Sequence, residues 1–353
     1  MRAAVYHGPG DVRIESVADP APPEAGELVV EVLRGAICGT DSSEYVHGPR
    51  FVPLDAPHAN SGHVGPLVLG HEFVGRVTAV GPDVEWFAVG DRVVTGAGVS
   101  CGACEWCRAG RTNLCARYYT LGLHTHGGLA SLAKTPASIA AKVPPDCSDD
   151  AAAMAQPLAV ALHALNRGRV QPGETLVIIG AGAIGALMIG GAHGRGLPEI
   201  VAIDMDEHRL ATARELGATH TIDASSEDAA AAVHEFMGGD GAHVVIEASG
   251  APTAPAQALA MVRRGGRVVI VGLQAEPVSL DLFDVTVREI EISSALAHVC
   301  ASDLPEALDI LTRTDLAETI LDRVIPLNRL VEDGLMALAE RRATGKILVD
   351  PRH

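Results

Sequence analysis

The chain has 353 residues, 48% of them hydrophobic and 20% charged, which excludes intrinsic disorder and is long enough for two domains with separate cores. A formal charge of −17 repels phosphate backbones and anionic lipid surfaces, so neither nucleic acid nor a membrane is expected as a partner. No stretch reaches membrane-spanning length without charged or turn residues and the N-terminus lacks the apolar run of a secretory signal, so a cytoplasmic protein is expected.

In chain order, residues 1–154 read as a mostly β domain with long loops. Short β-rich runs at 3–6 and 28–32 are broken by Gly8-Pro9-Gly10 and Pro20-Ala21-Pro22-Pro23. Two motifs here carry chemistry-bearing residues: Ile37-Cys38-Gly39-Thr40-Asp41 and Leu69-Gly70-His71-Glu72-Phe73. One Cys, one His and one carboxylate are the ligand types of a catalytic zinc that keeps a position open. On spacing alone, a His-Glu pair at a turn is as readily polar surface. Further on, Cys101, Cys104, Cys107 and Cys115 form a C-x2-C-x2-C-x7-C run inside a lobe of about residues 97–117. Four thiolates close every coordination position of one Zn2+, so such a site stabilises a lobe and binds no substrate. Two disulfides are the competing reading, but those suit small secreted chains. Cys147 and Cys300 have no neighbours that suggest chemistry.

From about residue 155, strands and helices alternate. Strands are expected at 175–180, 199–204, 219–222, 243–247, 267–271 and 290–295, with helices at 183–195, 207–216, 227–237 and 254–264 between them. Six strands with intervening helices make a doubly wound parallel sheet, an α/β fold. Gly180-Ala181-Gly182-Ala183-Ile184-Gly185 follows the first strand and opens its helix, the context in which G-x-G-x-x-G cradles a pyrophosphate. Asp204 ends the second strand, where a carboxylate accepts hydrogen bonds from the ribose diol of NAD and repels the 2′-phosphate of NADP. Arg209, one turn into the next helix, either lies against the adenosine ribose or is an ordinary exposed arginine. The tail, 297–353, mixes helix with a short strand at 347–349.

Together these motifs resemble the medium-chain zinc-dependent alcohol and polyol dehydrogenases over nearly the whole chain. Within that superfamily, Cys38-Gly39-Thr40-Asp41, Glu44-Tyr45, Gly48-Pro49, His58, Gly62 and 67–73 are similar to the butanediol dehydrogenase branch. The 157–164 stretch is similar to that branch and to the sorbitol and threonine dehydrogenases. The resemblance implies a GroES-like catalytic domain over 1–154, a Rossmann NAD-binding domain over 155–296, and a return to the catalytic domain over 297–353. It implies a catalytic zinc on Cys38 and His71, with Glu72 as a ligand or adjacent carboxylate, and a structural zinc on the four lobe cysteines. Thr40 would take the substrate's proton. Gly180, Gly182, Ala183, Ile184, Gly185, Asp204 and Arg209 would hold NAD.

Two positions depart from the branch. Gln156 stands where a Glu is usual near the zinc, and Ser43 where a His usually ends the proton relay; His47, His58 and His63 lie nearby, each as readily an ordinary loop histidine. The expected activity is reversible hydride transfer between NAD and a secondary alcohol, vicinal diol or polyol and its ketone. A sugar or cyclitol dehydrogenase, favoured by Gln156, is the alternative enzyme. A non-catalytic NAD-binding protein is the alternative of another class. The resemblance also implies a homo-oligomer, dimer or tetramer.

Overall fold

The computed structural model describes residues 1–353. Two units divide the chain: Met1–Ala159, His298–Arg313 and Leu321–His353 make the first, Val160–Ala297 and Thr314–Ile320 the second.

In the first unit the chain runs β1 (Arg2–Gly8), β2 (Asp11–Ser16), β3 (Glu27–Ala36), α1 (Gly39–His47), β4 (Leu67–Val68), β5 (Glu72–Val80), β6 (Arg92–Thr95), β7 (Gly98–Val99), α2 (Glu105–Arg108), β8 (Tyr119–Thr120), β9 (Leu132–Pro136), β10 (Ala140–Lys142) and α3 (Asp149–Ala152), with α4 (Ala155–Gly168) starting in it and continuing into the second unit. β3 is long and mostly buried because both of its edges are paired. It runs antiparallel to β5, with Ala36 opposite Glu72. That register sets the end of β3, and Cys38 just beyond it, beside the start of β5 and His71.

The second unit alternates β11 (Thr175–Ile179), α5 (Ala183–Gly194), β12 (Glu199–Asp204), α6 (Glu207–Glu215), β13 (His220–Asp223), α7 (Ala229–Phe236), β14 (Ala242–Glu247), α8 (Ala254–Met261), β15 (Val262–Ile270), α9 (Leu282–Val287) and β16 (Glu291–Ser294). These strands form one parallel sheet in the order β13-β12-β11-β14-β15-β16, which is the expected doubly wound sheet. β11 is buried along its whole length, as a central strand covered on both faces must be. Asp206, Asp228 and Asp281 cap α6, α7 and α9 by accepting backbone N–H bonds. The largest departure from the expected boundaries is that α8 stops at Met261 and β15 already begins at Val262, because Val262 pairs with Ala242 and the Gly265-Gly266 step, with φ +65° at Gly265, breaks a helix. α9, which periodicity did not reveal, is a short helix started by its Asp281 cap.

The remaining residues form α10 (Cys300–Arg313), α11 (Leu316–Ile320), β17 (Leu321–Pro326), α12 (Met336–Ala339) and β18 (Lys346–Asp350). β18 pairs with β3, Leu348 opposite Ala36, and completes a seven-stranded sheet ordered β10-β6-β5-β3-β18-β17 with β9 also on β3. α11 belongs to the second unit, where Leu316 fills the space left by Gly190 of α5. No helix is long and apolar enough to cross a membrane.

Candidate metal centres and cofactor cradle

The cysteine lobe is built locally. Cys101, Cys104, Cys107 and Cys115 bring their sulfurs within 4.8 Å of one another, and none is in a disulfide. Sulfur pairs lie 3.5 Å (Cys104–Cys107) and 4.0 Å (Cys101–Cys107) apart. A tetrahedron of thiolates about 2.3 Å from a zinc has edges of roughly 3.8 Å, so the two distances bracket the required size. Backbone N–H groups point at the sulfurs: those of Cys101 and Arg117 donate to Cys115 at 3.2 and 3.3 Å. N–H groups of Ala103 and Cys104 lower the Cys101 thiol to about 5, whereas burial raises Cys115 to about 11. A loop that stabilises thiolate on a surface sulfur supplies the form a metal needs.

The second set is assembled from distant segments. Cys38 caps α1, His71 precedes β5 and Glu72 opens it; their ligand atoms also lie within 4.8 Å of one another. His71 and Glu72 are buried. Gly70, at φ +96°, permits this approach, since a Cβ there would strike Leu129. Asp41 ties the set together: one carboxylate oxygen accepts from the Cys38 N–H at 2.9 Å and the other lies 3.5 Å from His71 Nδ1. Burial works against charge on His71, but the Asp41 carboxylate and the Cys38 thiol outweigh it and raise its pKa well above the usual histidine value. The Asp41 carboxylate and the Cys38 sulfur thus make this corner electronegative, which suits a divalent cation held on the neutral ring. Thr40 Oγ1 stands 3.6 Å from Cys38 Sγ. Ser43 is half-buried one turn further along α1, and Gln156 is buried in the first turn of α4.

Glu72 has a partner that the motifs did not announce. Lys346 Nζ lies 2.5 Å from its Oε2, with both side chains almost wholly buried. Burial lowers the pKa of such an ammonium, but Glu72 and then Cys38 overcome it and leave Lys346 raised. Strand order explains the meeting: Ala36 of β3 is opposite Glu72 on one side and Leu348 on the other, so β18 delivers Lys346 to the same end of the sheet. Asp41 lies in the Cys38 motif, where an acid three residues after the helix start is the one local signal that could have pointed to it. Lys346 carried no local signal.

The loop histidines are occupied elsewhere. His58 stacks on His124, ring centroids 4.2 Å apart, and its Nδ1 accepts from the Ser61 N–H at 3.2 Å. His63 meets His126 edge-on and bonds the Gly65 carbonyl. His47 is in the last turn of α1, rather than on the loop.

In the second unit, the glycine turn forms a cradle. Gly180 has φ +94°, and a Cβ on Gly185 would strike the Gly180 carbonyl, so the turn and the helix start demand glycine. Gly182 instead faces open space and begins α5 without a side-chain cap, so the helix's first N–H groups stay available to an anion; Ala183 and Ile184 are the first residues of that helix. Asp204 closes the cradle, accepting from Ala181 N–H at 2.8 Å with one oxygen and from Met205 and Asp206 N–H with the other. Arg209 is 3.7 Å from the Asp204 carboxylate, so it is tethered to the same corner.

A closed tetrathiolate set, an open Cys/His/carboxylate set and a dinucleotide cradle are the parts of a zinc-dependent dehydrogenase. Residues 24–145 match the alcohol dehydrogenase GroES-like domain, and residues 183–313 match the zinc-binding dehydrogenase domain. The chain is 34% identical to the sorbitol dehydrogenase of Bacillus subtilis (strain 168) over 314 residues, 88% of this chain and 86% of that one. It is 31% identical to the (R,R)-butanediol dehydrogenase of the same organism over 353 residues, 99% and 100% of the two chains. A solved alcohol dehydrogenase from Escherichia coli CFT073, complexed with NADH, superposes with a TM-score of 0.89 at 28% identity, covering 99% of each chain. The chain belongs to the zinc-type alcohol and polyol dehydrogenases, enzymes that use zinc and NAD.

Proposed function

We propose that this enzyme interconverts a secondary alcohol, vicinal diol or polyol with the corresponding ketone. The observation that carries this reading is the open Cys38–His71–Glu72 set with the Thr40 hydroxyl beside it. Cys38 and His71 would hold the catalytic zinc, with Glu72, paired to Lys346, as a ligand or adjacent carboxylate, and the four lobe cysteines would hold the structural zinc. When bound, the zinc supplies Lewis acidity toward the substrate's oxygen, and NAD supplies the hydride acceptor. Asp41 holds the Cys38 backbone by a hydrogen bond and sets its second carboxylate oxygen beside His71 Nδ1, so it positions this end of the set. Thr40 accepts the hydroxyl proton and passes its own on, with Ser43 next along the same face of α1. Gly180, Gly182, Ala183, Ile184 and Gly185 seat the pyrophosphate, Asp204 the ribose diol, and Arg209 lies beside Asp204.

A carboxylate at that corner opposes a 2′-phosphate, so NAD is preferred over NADP by about tenfold or more in kcat/KM. A panel of diols, polyols and sugars assayed with each nucleotide tests both parts. Equal efficiency with NADP overturns the role of Asp204; turnover confined to aldoses or cyclitols favours the second reading, whose support is the buried Gln156 amide. Seven free thiols suit a cytoplasmic location. A homo-oligomer is supported by the unpaired edge of β16, which carries the exposed Ile292, and by further exposed apolar side chains of the second unit, Leu273 and Phe283, at 82% and 76% exposure.

A further inference from the structure

The second unit contains a cavity of about 390 Å3 unconnected with the glycine turn, and arginine dominates its walls. Arg263, Arg264 and Arg288 line it together with His234, while Asp240 is the one carboxylate. In a chain with 44 acidic residues against 27 basic ones, three guanidiniums around one space run against the composition.

The three arginines are differently engaged. Arg288 is committed to the protein, donating to Asp284 at 2.6 Å and to the carbonyls of Leu259 and Val262. It is a fixed wall. Arg264 spends one N–H on the Val287 carbonyl at 3.2 Å and is otherwise exposed. Arg263 is the telling residue, because its Nε is buried without any hydrogen-bond partner. A buried guanidinium N–H left unmatched is costly, and a planar fork of donors matches an oxyanion. His234 turns its ring nitrogens to the carbonyls of Gly239 (3.1 Å) and Ala260 (2.8 Å), so it offers no free acceptor to a metal or a cationic ligand.

Position separates this cavity from the cofactor. Arg263 and Arg264 begin β15, whereas Gly180 follows the end of β11, and β11, β14 and β15 run parallel. The two features therefore lie at opposite ends of the strands, roughly 15 Å or more apart at about 3.3 Å per residue. We propose that the cavity is a second anion site, taking a phosphate-class oxyanion between the Arg263 and Arg264 forks.

Thermal unfolding of the full-length enzyme with saturating NAD, in inorganic phosphate against chloride at equal ionic strength, tests this. NAD blocks the glycine turn, so any remaining phosphate effect reports another site. The expected result is a saturable rise in Tm with phosphate that weakens by roughly tenfold or more in apparent affinity in an Arg263→Gln/Arg264→Gln variant. Asp240→Asn leaves the arginines in place and removes the opposing charge, so it should tighten phosphate several-fold. Phosphate no better than chloride, phosphate binding unchanged in the double variant, or no tightening in Asp240→Asn each overturns the proposal.

Discussion

The cysteine lobe and the Cys38–His71–Glu72 set offer metals comparable donors, yet they are constructed in opposite ways. The lobe draws four sulfurs from fifteen consecutive residues, most of them partly exposed, with N–H groups of its own loop stabilising the thiolates. The other set draws on the ends of β3, β5 and β18, and its carboxylates are buried. A local site can be lost without dismantling a core. A site made by strand convergence cannot be separated from the sheet that makes it.

The largest effects should fall on either side of that division. Cys38→Ser is expected to abolish turnover, by at least about 10³-fold, in a protein that remains folded and keeps one zinc. Cys104→Ser should also leave one zinc per chain but retain the catalytic ion, with its loss felt in unfolding. Zinc analysis, circular dichroism and activity on each variant decide the matter. Two zincs retained in either variant would falsify the assignment of that ligand.

Lys346→Met breaks the comparison at its buried end. In zinc-free protein, removing the ammonium leaves Glu72 charged and unpaired in the sheet interior, a loss of about 3–5 kcal/mol measured by urea unfolding. An exposed ion pair such as Arg313–Asp309, removed by Arg313→Gln, should shift stability by under about 1 kcal/mol. If the two variants unfold alike, Lys346 is not the structural counter-charge that its geometry indicates.

The difference in construction also explains what could be read in the sequence. The lobe, the glycine turn and Asp204 are each complete within a short stretch, where spacing carries the information. Alternation of strand and helix gave the parallel sheet of the second unit, although the end of α8 was misplaced because Arg263 and Arg264 are neutral to the pattern and only strand pairing decides them. Lys346 could not be found that way. Its significance depends on β18 lying beside β3, a pairing between residues more than 300 positions apart. His58 and His63 were similarly ambiguous until His124 and His126 were seen opposite them.

A smaller effect concerns Gln156. If that amide faces the metal, Gln156→Glu adds a negative neighbour and makes the zinc a weaker Lewis acid, so the pH–rate profile for alcohol oxidation should move upward. A primary deuterium isotope effect establishes that hydride transfer is being observed. An isotope-sensitive profile that does not move places residue 156 away from the metal.

The least effect, and the one that probes the seam between the two metal-ligand sets, is the acid response of the histidine pairs. The loop between Cys38 and His71 is fastened to the segment following the lobe by the His58–His124 stack and by Asn60 and Ser61, which donate to the carbonyls of Tyr118 and His124. The Nδ1 atoms of His124 and His126 accept N–H bonds from Thr120 and Val68, which requires unprotonated rings. Burial, and secondarily the neighbouring His58, lowers His124 to about 4; burial and His63 lower His126 as well. Because the folded value lies below the unfolded value near 6.5, the folded state prefers the neutral ring. The contribution is therefore complete above about pH 6.5 and is lost as the pH falls toward 4. His124→Asn keeps a short acceptor that does not titrate, so its Tm should fall less steeply than that of the parent between pH 6.5 and 4, by a few degrees at most. Parallel Tm curves for the two proteins across that window would show that the seam does not sense acid through His124.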